Sequence, residues 1–205
     1  MLEALTGSGL AASAGLNAYI PLLSMGLLAR YTDVVELPGG WQWLSNGWVI
    51  AILTVLLAIE FVADKVPVVD HVNDVVQTVI RPTSGGLVFG AGVSSETATV
   101  SDPGEFFSSN QWVPIVVGVL IALGVHALKA AARPVINTMT AGIGAPVAST
   151  AEDATSVVMS LVAILVPVLV VVFLAGMVLF LVWVLRRRRR RRRERQAARA
   201  AGFQV

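Results

Sequence analysis

The chain has 205 residues, 56% of them hydrophobic and only 14% charged, with a mean hydropathy of +0.76. A water-soluble domain averages roughly 25% charged residues, so this composition excludes an ordinary soluble fold and points to several helices in a bilayer. There is no cysteine, which excludes disulfides and thiolate metal sites, and the roughly ten-residue alternating segments of a transmembrane barrel are missing.

The formal net charge of +2 hides an asymmetry. Ten of the 15 basic residues are arginines after Leu185, whereas residues 1–185 hold five basic and 12 acidic groups, a net of −7. The high isoelectric point therefore belongs to the tail, and no nucleic-acid-binding body is expected. The start, M-L-E-A-L-T-G-S-G-L, lacks the basic region of a cleaved signal peptide.

In chain order, residues 6–29 carry no charge and suffice for one crossing. Small residues crowd their first half, from Gly7 to Gly15, and predict close central packing. Asn17 and Pro21 follow; the proline predicts a kink, with Asn17 satisfying a freed carbonyl or lining a cavity. Tyr31 to Gly47 reads as a polar loop whose Trp41, Trp43 and neighbouring Trp48 fit an interfacial belt. A second span is expected at 47–65. Residues 68–80 are amphipathic, with valines on one face and Asp70, His71, Asn73, Asp74 and Gln77 on the other, which predicts an interfacial helix ended by Arg81-Pro82, with a packed segment lining an internal cavity as the alternative.

The glycine-rich stretch 83–100 is too polar to face lipid and predicts a broken or re-entrant segment. A third span is expected at 112–132, with His126 and Lys129 snorkelling at its end. Residues 135–150 resemble 83–100 in character. The two Trp-Val starts and two Arg-Pro pairs suggest a weak internal repeat, a pattern known in transporters. Thr150 and Asp153 form a capping-box-like start to a long span at 154–185, and Pro167 predicts a kink in it.

The fold class is thus all-α: a single helical membrane domain over 1–185 with four full spans and two short or broken segments. Residues 186–205 form an arginine-rich tail. Under the positive-inside rule the tail is cytoplasmic, and an even number of passes puts both termini inside, in the plasma membrane. Arg186, Arg187, Arg188, Arg189, Arg190, Arg191, Arg192 and Arg193 are expected to meet anionic lipid.

Candidate functional groups cluster between Glu60 and Pro82. Glu60 and Asp64 share a helix face, with Lys65 adjacent, and Asp70 and Asp74 repeat that spacing beside His71. Such groups in an apolar chain can relay protons or receive a cation; alternatively they are ion-paired caps and a solvated interfacial face. One histidine with nearby carboxylates is weak evidence for a metal, and neither metal nor cofactor is expected. No nucleophile elbow, phosphate loop, zinc-protease motif or dinucleotide fingerprint occurs, so no enzyme activity is expected.

At G-L-N-A-Y-I-P-L-L (Gly15 to Leu23), D-K-V-P-V-V-D-H (Asp64 to His71) and G-A-P-V-A-S-T-A-E-D (Gly144 to Asp153), the chain resembles a bacterial family of small integral membrane proteins known only as a domain of unknown function. The likeness covers about residues 5–180. It implies a polytopic membrane protein and carries over no catalytic residue. Together the residues lead to the expectation of a small transporter or channel, proton- or cation-coupled, forming a homo-oligomer. Its polar cavity would lie near Asn17, Glu60 and Asp64. A non-transporting scaffold for lipids or a partner complex is the alternative.

Overall fold

The computed structural model describes residues 1–64, 67–93, 110, 112–140, 144–176, 178, 179, 182 and 186, and the regular structure among them is helical throughout. In order come α1 (Leu2–Leu16), α2 (Tyr19–Tyr31), a 3-10 segment (Gly39–Ser45), α3 (Gly47–Ala63), α4 (Pro67–Val93), α5 (Trp112–Thr140) and α6 (Gly144–Leu165). Met1–Val170 form one compact unit and Val171–Val205 another. The described residues 171–176 of the second unit are helical.

The expected crossing at 6–29 is two helices. Asn17 adopts an extended conformation (φ −143°, ψ 124°), which ends α1 and restarts the chain as α2. Pro21 is the third residue of α2, where a missing N–H costs nothing because the first-turn donors have no helical acceptor. The break is therefore made by Asn17, and Pro21 does not kink a continuous helix. The small residues of α1 are buried from Gly7 to Gly15 save Ser8, and α1 packs on α4, α5 and α6.

Asn46 starts α3: its side chain accepts the Trp48 N–H at 2.9 Å. This helix shows a reversed burial pattern. Ile52, Val55, Ile59 and Val62 face outward while Glu60 is inside, the arrangement suited to a hydrocarbon surrounding. Trp41 departs from the expected belt. It is buried against Gly90 of α4, while Trp43 and Trp48 are exposed.

The largest departure is α4, which runs unbroken through Pro82 and joins the expected interfacial helix 68–80 to the first half of the expected broken segment 83–100. The proline removes one backbone bond, but the residues after it are largely buried against α1 and α5, and Gly85 and Gly86 let α5 approach closely. Packing thus carries the helix past its local breaker. Residues 94–100 of that segment lie outside the described ones. Likewise α5 continues through Arg133-Pro134 to Thr140, and α6 begins at Gly144, so 135–150 is the end of one helix and the start of the next. The two copies of the suggested repeat differ in structure: the stretch from Trp-Val to Arg-Pro covers α3 and part of α4 in the first and lies within α5 alone in the second. Thr150 and Asp153 lie inside α6, where Thr150 bonds back to the Pro146 carbonyl, and neither caps a helix. A break at Val166 and Pro167 follows.

Trp112–Arg133 and Pro146–Leu165 are long and apolar enough to cross a membrane, and the 3-10 segment with α3, bent by 60°, makes a third if taken as one span. Among the described residues two or three helices meet that requirement, fewer than the four expected spans. The first expected span is broken into pieces of 15 and 13 residues, and α3 alone has 17 against the roughly 20 needed.

Candidate functional site

Breaking a helix inside a bundle leaves backbone donors and acceptors that must be satisfied. Here Asn17 and side chains from three other helices converge on the gap. Asn17 Oδ1 accepts the N–H groups of Tyr19 (3.0 Å) and Ile20 (3.2 Å), capping α2, while its Nδ2 donates to Asp153 Oδ1 on α6 at 2.9 Å. Asn17 thus satisfies freed amides, and the carbonyls are met by others. Lys129 of α5 donates to the Leu16 carbonyl (3.3 Å), and Ser84 of α4 donates to that of Ala18. A cation therefore sits at the C-terminus of α1 and a carboxylate near the N-terminus of α2, each at the dipole end that favours it. Asn17→Ala is expected to lower stability by about 0.5–2 kcal/mol. Asn17→Asp should be worse, since it places a second carboxylate on Asp153. Unfolding midpoints in detergent would check both.

Beside the gap lies a network of buried charge. Asp64, at the end of α3, is its hub. Its Oδ2 is 3.4 Å from Lys129 Nζ, 3.4 Å from Arg133 Nη2 and 3.8 Å from Arg81 Nη2, and accepts Ser149 Oγ at 3.3 Å. Its Oδ1 accepts Asn73 Nδ2 at 2.6 Å. One turn earlier, Glu60 Oε1 takes Arg81 Nη2 at 2.8 Å, with both side chains essentially inaccessible. Lys129 also pairs with Glu152 (2.8 Å), and Arg133 with Glu152 (3.4 Å) and Asp74 (3.3 Å). Pairing makes this burial tolerable, because an isolated ion would cost several kcal/mol.

His126 extends the network. Arginine can only donate, so Arg81 Nη1, 3.1 Å away, makes His126 Nδ1 an acceptor. Thr78 spends its proton on the Asp74 carbonyl (2.8 Å) and accepts from His126 Nε2 at 3.2 Å. Both contacts require the same neutral tautomer, protonated on Nε2.

The structure brings Asn17, Glu60, Asp64 and Asp74 into one assembly. Asp70 and His71 lie on α4, their side chains outside the described residues, as are Lys65 and Arg187 to Arg193; Arg186 is exposed. Sequence reasoning passed over Arg81, Arg133, Glu152 and Asp153 as site residues, reading the arginines as helix ends. His126 and Lys129 do not snorkel: they are 5% and 4% exposed and point inward. The usable signal was scarcity, since three of the five cations ahead of the tail, Arg81, Lys129 and Arg133, belong to this network. No group of three or more metal-ligating side chains occurs among the described residues.

Comparison with known families decides the kinship. The family described as Domain of unknown function (DUF4126) matches residues 4–187, which span every helix named above. The chain belongs to the DUF4126 family. Neither a curated protein nor a solved structure matches it. The three motifs that carried the resemblance each place a residue in the DUF4126 network: Asn17, Asp64 and Asp153.

Proposed function

We propose that this DUF4126 protein is a small multi-pass membrane transporter or channel, coupled to protons or cations, whose pathway passes the network around Glu60 and Asp64. One observation supports this reading above others. Five carboxylates (Glu60, Asp64, Asp74, Glu152, Asp153) and three cations (Arg81, Lys129, Arg133) gather inside the helices, at a break in the α1–α2 rod. Ionisable groups among apolar helices are costly to keep and mark ion or proton pathways by default, and broken helices accompany such sites in transporters. The remainder of the reading places the protein in the plasma membrane as a homo-oligomer, with both termini cytoplasmic and the arginine tail against anionic lipid.

Flux of solutes and ions into proteoliposomes tests it, with the pH gradient and membrane potential varied. Glu60→Gln or Asp64→Asn, correctly inserted, is expected to lower flux by about tenfold or more, equivalent to about 1.4 kcal/mol on the barrier. Absence of flux across a broad panel of solutes would favour the scaffold reading, and partner capture would then be the next step.

A further inference from the structure

We propose that Glu60 is the group that takes up the coupling ion and that this ion is a proton, an inference that rests on the transport reading above. Glu60 is 1% exposed. Its Oε1 is bonded to Arg81, while its Oε2 is buried without a hydrogen-bond partner. On the facing helix Gln77 leaves Oε1 in the same condition, against one unpartnered donor among the described residues, Arg81 Nε. Acceptors therefore outnumber donors around the Glu60–Arg81 pair, so what this neighbourhood can take up is hydrogen rather than another oxygen ligand. Charge gives the same answer: the network's five carboxylates exceed its three cations by two.

A proton fits where a metal ion does not. A bound metal ion needs several oxygens at about 2.0–2.6 Å. Glu60 has a guanidinium at 2.8 Å, and its carboxylate neighbour Asp64 already faces three cations. Among the described residues, the charged and titratable groups around Glu60 are Tyr19 from α2, Asp64 from its own chain segment, Arg81 from α4 and Lys129 from α5. The 3-10 segment contributes none. Taking a proton from hydronium, Glu60 Oε2 forms one O–H bond as one O–H bond of the hydronium breaks to leave water, and the side chain passes from −1 to 0. Arg81 then loses its nearest anion, and the next is Asp64, whose Oδ2 is already 3.8 Å from the same Nη2. Turning toward Asp64 draws the guanidinium from its 3.1 Å contact with His126, so a proton on α3 is felt on α5.

Infrared difference spectroscopy of the full chain in lipid, titrated from acid to alkaline pH, reads this directly. The wild type is expected to show one protonated-carboxyl band that disappears with rising pH and does not respond to sodium. Glu60→Gln abolishes it, Asp64→Asn retains it, and Glu60→Asp keeps it with a moved midpoint. No pH-sensitive carboxyl band in the wild type, a band that survives in Glu60→Gln, or one removed by sodium would overturn the proposal. The measurement requires no solute. An intact band without flux would therefore remove the transport reading alone, and flux without the band would remove the proton site alone.

Discussion

Replacing Arg81 by leucine is expected to destabilise the protein by about 3–5 kcal/mol, because it strands a carboxylate in the interior. Arg81 is fully buried; its Nη2 serves Glu60 and faces Asp64, and its Nη1 serves His126. Asp64 keeps Lys129 and Arg133 in the variant, so the loss falls on Glu60. The double variant Glu60→Leu/Arg81→Leu should recover most of the deficit, since a buried pair replaced whole by apolar groups is close to neutral. Arg81→Lys should fall between, as a single ammonium cannot occupy both guanidinium positions. Unfolding midpoints of the detergent-solubilised chain measure all three. A wild-type midpoint for Arg81→Leu would mean the pair is not formed.

Gly118→Leu is the second large effect: the α4–α5 contact is expected to be lost and the folded chain not recovered. A Cβ at Gly118 would collide with the Gly85 carbonyl oxygen and lie 2.5 Å from the Phe89 Cβ, and one at Gly85 would meet Ala122. The obstacle is backbone on both sides, so neither helix yields by turning a side chain. Overpacking ordinarily costs about 1–3 kcal/mol, and a backbone collision lies at or beyond the top of that range. Gly124 on the same helix is the control, with nothing within 4 Å of its added Cβ. Gly124→Ala should stabilise by up to about 1 kcal/mol through helix propensity, while Gly118→Ala destabilises. Equal midpoints for the two alanine variants would show that the close approach is absent.

What the sequence made legible was local. The i, i+4 pair Glu60 and Asp64, the small-residue run of α1 and the anomaly of Asn17 could all be read from short-range spacing. Their partners could not. Arg81 lies 21 residues from Glu60, Lys129 and Arg133 lie 65 and 69 from Asp64, and Asp153 lies 136 from Asn17. No periodicity encodes such distances. The same limit explains α4: Arg-Pro followed by glycines is a correct local signal for a helix end, overruled by burial against α1 and α5. Glycines read as places for the chain to break serve instead as places for a neighbour to enter.

The order of synthesis gives these long separations a cost in time. α3 leaves the ribosome carrying Glu60 and Asp64 before any of Arg81, Lys129 and Arg133 exists. An unpaired aspartate costs about 2.5–3.5 kcal/mol at the centre of a lipid-embedded helix; Glu60 and Asp64, at the end of α3, cost less than that but still count against its entering a bilayer by itself. The Glu60–Arg81 bond offers the earliest remedy, available as soon as α4 emerges, and would tie α3 to α4 at that point. Asp64 meets Asn73 and Arg81 at the same stage, and gains Lys129 and Arg133 only with α5. The residues that would carry an ion in the finished protein thus also set the sequence of its assembly.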